Sequence, residues 1–175
     1  MKKKLILGFG SPVVADECVV PAILDELKKK FSKHYAIKNE LTLTLDHIGY
    51  LGQYEHVIIL DTVLDGNQLP GKVDVFSIDH YSPTIHLENI HDISLPGLLG
   101  VAQELGIEIP DTIDIIAISI AENERLSNVL SDELNNQYQT VKEKVLKLIL
   151  PFGNKLITKQ EPELIYKNVN ILIEN

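Results

Sequence analysis

The sequence predicts an α/β protein: a three-layer α/β/α sandwich around a mostly parallel, doubly wound sheet. Two observations point there. Short apolar runs alternate along the chain with stretches of helical periodicity. One of those runs, Val57-Ile58-Ile59-Leu60, is continuously apolar and ends in Asp61, as a strand buried on both faces would be.

The elements follow in order. Lys4 to Gly8 is a short apolar run closed by Gly8-Phe9-Gly10, the pattern of a buried strand entering a glycine turn. From Asp16 to Phe31 the residues Val19, Val20, Ile23, Leu24 and Leu27 recur at helical spacing, and Lys28-Lys29-Lys30 stand where cations complement the helix dipole. Glu40 to Asp46 alternates Leu41, Leu43 and Leu45 with Thr42 and Thr44, which predicts a half-buried strand. His56 to Asp61 is the central strand. Turns at Asp65-Gly66 and Pro70-Gly71 lead into a further strand over 72–78. Ser94 to Leu105 reads as a helix stopped by Gly106 and Pro110, and Ile113 to Ile120 as another buried strand. Ser131-Asp132-Glu133 opens the last helix, with Leu134, Tyr138, Val141, Val145 and Leu148 as its apolar stripe up to Pro151. Only nine residues separate Asp46 from His56, too few for a helical crossover, so those two strands are either not neighbours or joined by a turn.

A chain of 175 residues with 45% hydrophobic content can bury the core of one domain. That domain is expected over 1–150. In the extension over 151–175, Ile165, Val169, Ile171 and Ile173 suggest a strand or an arm that packs on the body or on a second subunit of a homodimer. The excess of 25 acidic over 16 basic residues gives a charge of −9, which disfavours nucleic acid and anionic membranes as partners. A single cysteine, Cys18, leaves neither a disulfide, a cysteine-rich zinc site nor a CxxC motif. The initial lysines precede too few apolar residues for a signal peptide, and no run approaches the ~20 that span a bilayer. A cytoplasmic protein is expected.

Potential ligands stand where strands end and loops begin: Asp16-Glu17 after the first strand, Asp61, and His91-Asp92 ahead of a helix. In a doubly wound sheet such positions converge on one edge, and two carboxylates with an imidazole suit a divalent metal while leaving coordination places open. Each has a plainer reading. Asp16 and Glu17 could complement a helix dipole, Asp61 could initiate a turn, and a loop histidine is more often solvated than ligating. His47 reads as a polar loop residue in preference to a ligand, and Cys18 as a small packed residue.

The joint spacing of these groups resembles a known family. Leu7-Gly8-Phe9-Gly10-Ser11 followed by Asp16-Glu17 resembles the Gly-x-Gly-Asn turn and acid pair of the endopeptidases that mature nickel-iron hydrogenases. Val57 to Asp61, the Pro70-Gly71 turn and His91 before a Leu-rich helix ending in Leu105-Gly106 resemble the family's later anchors, and Leu130-Ser131 its final helix. The resemblance covers about residues 4 to 150. It implies a phosphorylase/hydrolase-like sheet, metal engagement by Glu17, Asp61 and His91, and a place for Asp46 at the border of the substrate cleft. It further implies nickel supplied by the substrate, although another divalent metal could occupy the isolated protein. The implied partner is the hydrogenase large-subunit precursor, whose carboxyl-terminal extension is removed. Departures are Ser11 in place of Asn, Cys18 and Val20 in place of glycines, and a short His47-to-Glu55 segment where the family has Gly-Thr-x-Gly and a short helix.

Two other functions compete. A catalytically silent relative that binds a partner would explain the altered acid-pair loop. A nucleotide-binding module would use Gly8-x-Gly10, but Val13 stands where the dinucleotide fingerprint needs its third glycine, and Pro12 has no N–H to offer phosphate.

Overall fold

A computed structural model describes residues 3–64, 66, 68–81, 83–87 and 93–154. The described chain runs β1 (Lys3–Phe9), α1 (Val19–Phe31), β2 (Ala36–Glu40), α2 (His47–Leu51), β3 (Tyr54–Val63), β4 (Val73–Ser77), α3 (Leu95–Glu104), β5 (Thr112–Ser119) and α4 (Asp132–Asn154). Single 3-10 turns, Ala15–Cys18 and Ile78–His80, precede α1 and follow β4. The five strands form one sheet in the order β2-β1-β3-β5-β4. All neighbours are parallel except β4, which runs antiparallel to β5.

Each sheet face buries its own core, as three layers require. Ile6, Ile58, Leu60, Ile116 and Ile118 meet α1 and α4 through Ile23, Leu24, Val141 and Val145. On the opposite face Leu5, Leu7, Phe9, Val57, Ile59 and Ile115 meet Leu51, Leu95 and Leu98 of α2 and α3. The alternation of successive β1 and β3 residues between these cores is the period-two geometry of a strand covered on both sides. Each fully buried Leu or Ile contributes about 1.5–3 kcal/mol. At the turn before β4, Gly71 has φ of 88° and its amide donates to the Ser119 carbonyl at 2.7 Å.

Two expectations change. The strand predicted over Glu40–Asp46 lies earlier, at Ala36–Glu40, and the leucine alternation that suggested it belongs to a loop. Leu41 and Leu45 are 63% and 57% exposed while Leu43 is fully buried, so one leucine anchors that loop and the others face solvent. The segment after Asp46 is not merely shortened, since His47–Leu51 forms a five-residue helix. β2 and β3 are not neighbours, because β1 lies between them, and with β2 ending at Glu40 the nine-residue spacing counted from Asp46 no longer applies. The final helix continues through Pro151 to Asn154. The extension beyond Asn154 lies outside the described residues.

Candidate active site

The site is built outward from Asp61. This carboxylate stands near the carboxyl end of β3 and is fully buried. Oδ1 accepts from the Thr62 amide at 2.7 Å and from Nδ1–H of His86 at 2.6 Å. Oδ2 accepts from the Thr84 hydroxyl and from the His86 amide, the latter at 3.3 Å. The segment reaches Asp61 because the Ile85 amide donates to the Thr62 carbonyl at 3.1 Å, laying residues 84–86 beside the end of β3. Alternation then sends Ile85 to the α1/α4 core and turns Thr84 and His86 toward the acid.

On its other edge the His86 ring meets the first loop, with Nε2 3.3 Å from Oε2 of Glu17. Glu17 sits in the 3-10 turn ahead of α1 and is almost wholly buried, and its Oε2 also accepts from the Ser11 amide at 3.3 Å. Gly10 permits this approach: a Cβ there would lie 2.7 Å from the Glu17 carbonyl oxygen. Burial opposes charge on His86, but the hydrogen bonds and charges of Asp61 and Glu17 outweigh it and raise the imidazole pKa to about 9. Burial pushes the Asp61 carboxyl up while its bond to His86 pulls against this, so the proton shared along this edge is held on His86 at neutral pH.

These donors are unequal in what they could offer a divalent metal. A carboxylate has about four lone-pair directions, and all four of Asp61 are occupied. Asp61 stands behind the imidazole and orients it, leaving Nε2 of His86 and Oε2 of Glu17 as the facing pair once the Nε2 proton leaves. Asp61 becomes a direct donor only if the ring turns and frees an oxygen. Among the described residues no three His, Cys, Asp or Glu side chains are grouped to hold one metal ion in common.

Asp16, next to Glu17, does different work. Fully buried, it accepts from the amides of Ala121 (3.0 Å), Glu122 (3.3 Å) and Ser131 (2.7 Å) and from the Ser131 hydroxyl (2.9 Å). Backbone bonds from Ala15 to Arg125 and from Ser127 to Val13 complete the seam. The loop carrying Glu17 is thus braced against the loop before α4.

Residues 21–148 match the family model described as hydrogenase maturation protease. The chain belongs to the hydrogenase maturation protease family. The match includes Asp61, His86 and His91 and begins after Glu17. Among solved structures, the hydrogenase maturating endopeptidase HybD of Escherichia coli is 19% identical, with 86% of this chain and 94% of that chain covered and a TM-score of 0.66. HybD of Thermococcus kodakarensis is 23% identical, covering 83% and 98%, at a TM-score of 0.58. A hydrogenase 2 maturation peptidase from a Thaumarchaeota archaeon is also 23% identical, covering 85% and 98%, at 0.58. At these identities the structures establish the shared α/β fold. No curated protein matches significantly.

Within this family member the structure brings Glu17 and Asp61 together through His86, which sequence reading passed over. His91 lies outside the described residues. Asp46 is exposed just ahead of α2, and beside it the His47 ring packs on Phe9 with centroids 5.9 Å apart. Phe9 stacks on His86 at 6.4 Å, so the two imidazoles share one aromatic wall. Cys18 instead lines a separate surface groove of about 470 Å³ with Pro12, Pro21 and Tyr138. Burial, and then the charge of Asp16, push its thiol pKa up, which suits a packing residue and not a nucleophile. No described helix is long and apolar enough to cross a membrane.

Proposed function

We propose that this peptidase acts in the cytoplasm on a hydrogenase large-subunit precursor already loaded with nickel, and removes its carboxyl-terminal extension. The observation that supports this reading is the buried Glu17–His86–Asp61 array at the carboxyl ends of the strands. In the proposal His86 takes the histidine role first assigned to His91, because its ring reaches both acids. The nickel arrives with the substrate and is met by Nε2 of His86 and the Glu17 carboxylate. Asp61 keeps the Nδ1 proton in place, so that when nickel displaces the Nε2 proton to solvent the Nε2 lone pair faces the metal. With the metal polarising the scissile carbonyl, Glu17 is the carboxylate positioned to deprotonate the attacking water.

The test uses nickel-loaded precursor. Glu17→Gln, Asp61→Asn and His86→Ala should each slow cleavage by on the order of 10²-fold or more, and nickel-free precursor should resist the parent protein. His91→Ala should cut at the parent rate. Loss in His91→Ala with His86→Ala unaffected would return the role to His91. A parent protein that binds the loaded precursor and never cuts it would make the chain a partner-binding relative.

A further inference from the structure

His47 lies outside the Glu17–His86–Asp61 array but beside the same wall, and it is built to present one hydrogen-bond donor. Thr44 surrounds its Nδ1, with the amide nitrogen at 3.0 Å, the hydroxyl at 3.0 Å and the carbonyl oxygen at 3.1 Å, and the His47 amide donates back to that carbonyl at 3.1 Å. The amide can only donate, which makes Nδ1 the acceptor and leaves the carbonyl to the His47 amide. This is the returning half of a capping box, with an imidazole in the place that glutamate or glutamine usually takes, while the N-cap of α2, Asp46, makes no side-chain cap. With the Nδ1 lone pair engaged, the ring carries a proton on Nε2. Among the described residues Nε2 has no hydrogen-bond partner, and the residue is half-buried. Through Phe9 the His47 and His86 rings lie within about 12 Å of each other, the reach of three or four residues of extended chain.

We propose that Nε2–H of His47 donates to a main-chain carbonyl of the substrate as it passes the Glu17–His86 pair, which makes His47 a positioning residue for cleavage. The inference rests on the peptidase reading above. With Nδ1 engaged as an acceptor the free edge of the imidazole donates, and the exposed Asp46 carboxylate beside it offers acceptors. An extended peptide, which offers both a carbonyl and an amide at each residue, suits that pair. A cap alone has no need of a ring that ends in a donor.

Glutamate and glutamine separate the two roles. His47→Glu keeps an acceptor for the Thr44 amide and removes the donor, whereas His47→Gln keeps both. With nickel-loaded precursor, His47→Glu should raise KM about tenfold, the worth of one neutral hydrogen bond, while kcat and the thermal midpoint stay near the parent values. His47→Gln should stay within about threefold of the parent on the same measure. Equal KM for parent, His47→Gln and His47→Glu overturns the proposal, as does an equal loss in both variants. Direct binding of a fluorescently labelled precursor keeps the two readings apart. If the parent binds without cutting, the peptidase reading falls, yet weaker binding by His47→Glu alone still supports the donor, and equal binding removes it.

Discussion

Replacing Asp16 by alanine tests whether the two loops at the site are braced as the hydrogen bonds indicate. The carboxylate accepts four donors, and they are not equivalent. The Ala121 and Glu122 amides are only partly covered, so water can take over from the lost oxygen. The amide and hydroxyl of Ser131 are buried, and a buried donor left without a partner costs about 1–3 kcal/mol. Two such donors give a loss of about 4 kcal/mol. The Ser131 hydroxyl also accepts from the Leu134 amide at 3.2 Å as it starts α4, so a displaced serine weakens that cap as well. In a chain of this size each kcal/mol moves the midpoint by about 2–4 °C, which places the variant about 8–16 °C below the parent. Urea denaturation read by circular dichroism measures the free energy directly, with an unchanged m-value showing that only stability moved. A loss below about 1 kcal/mol would mean that water or a rearranged loop replaces the carboxylate, and the brace would not be what holds Glu17 in place.

Two further outcomes follow from the same coordinates. The His86 pKa of about 9 lies above the ordinary 6.5, so the folded protein binds that proton more tightly than the unfolded chain does. Its stabilisation is complete below pH 6.5 and is lost as pH rises through 9, and urea midpoints across that window should fall in the parent but not in His86→Leu. At the turn before β4, Gly71→Ala should cost about 2 kcal/mol by denaturant titration, because φ is 88° and the new Cβ would lie 2.7 Å from Cβ of Gln137. A cost below about 0.5 kcal/mol would show that the turn relaxes.

Most of the fold was legible because burial on both faces leaves a strong mark. The run ending at Asp61 and the stripes of α1 and α4 are forced by cores that accept only apolar side chains. β2 was misplaced because Ala36–Glu40 is an edge strand of mixed, half-buried residues, while the neighbouring loop alternates leucine and threonine by coincidence. Period two records alternation and not hydrogen bonding, and Leu41 and Leu45 alternate outward into water. In the site, Glu17 and Asp61 could be selected because each stands near the carboxyl end of a strand. The contact of His86 with both acids was not legible from spacing, and His91 lies outside the described residues. The available signal was Thr84, two residues before His86, a hydroxyl spaced to share a carboxylate with the imidazole, but it gains meaning only once Ile85 is tied to Thr62. Asp16 was overlooked as a brace because its partners are more than a hundred residues away.

The proton on His86 also gives the array a threshold that needs no moving part. While Nε2 keeps its proton the imidazolium closes the gap between Glu17 and Asp61. With a pKa of about 9, anything that binds through the Nε2 lone pair at pH 7 must displace a proton held about 100-fold against it. Binding there would release that proton and strengthen as pH rises toward 9. The same two acids that raise the pKa thus act as a stopper whose removal is set by pH.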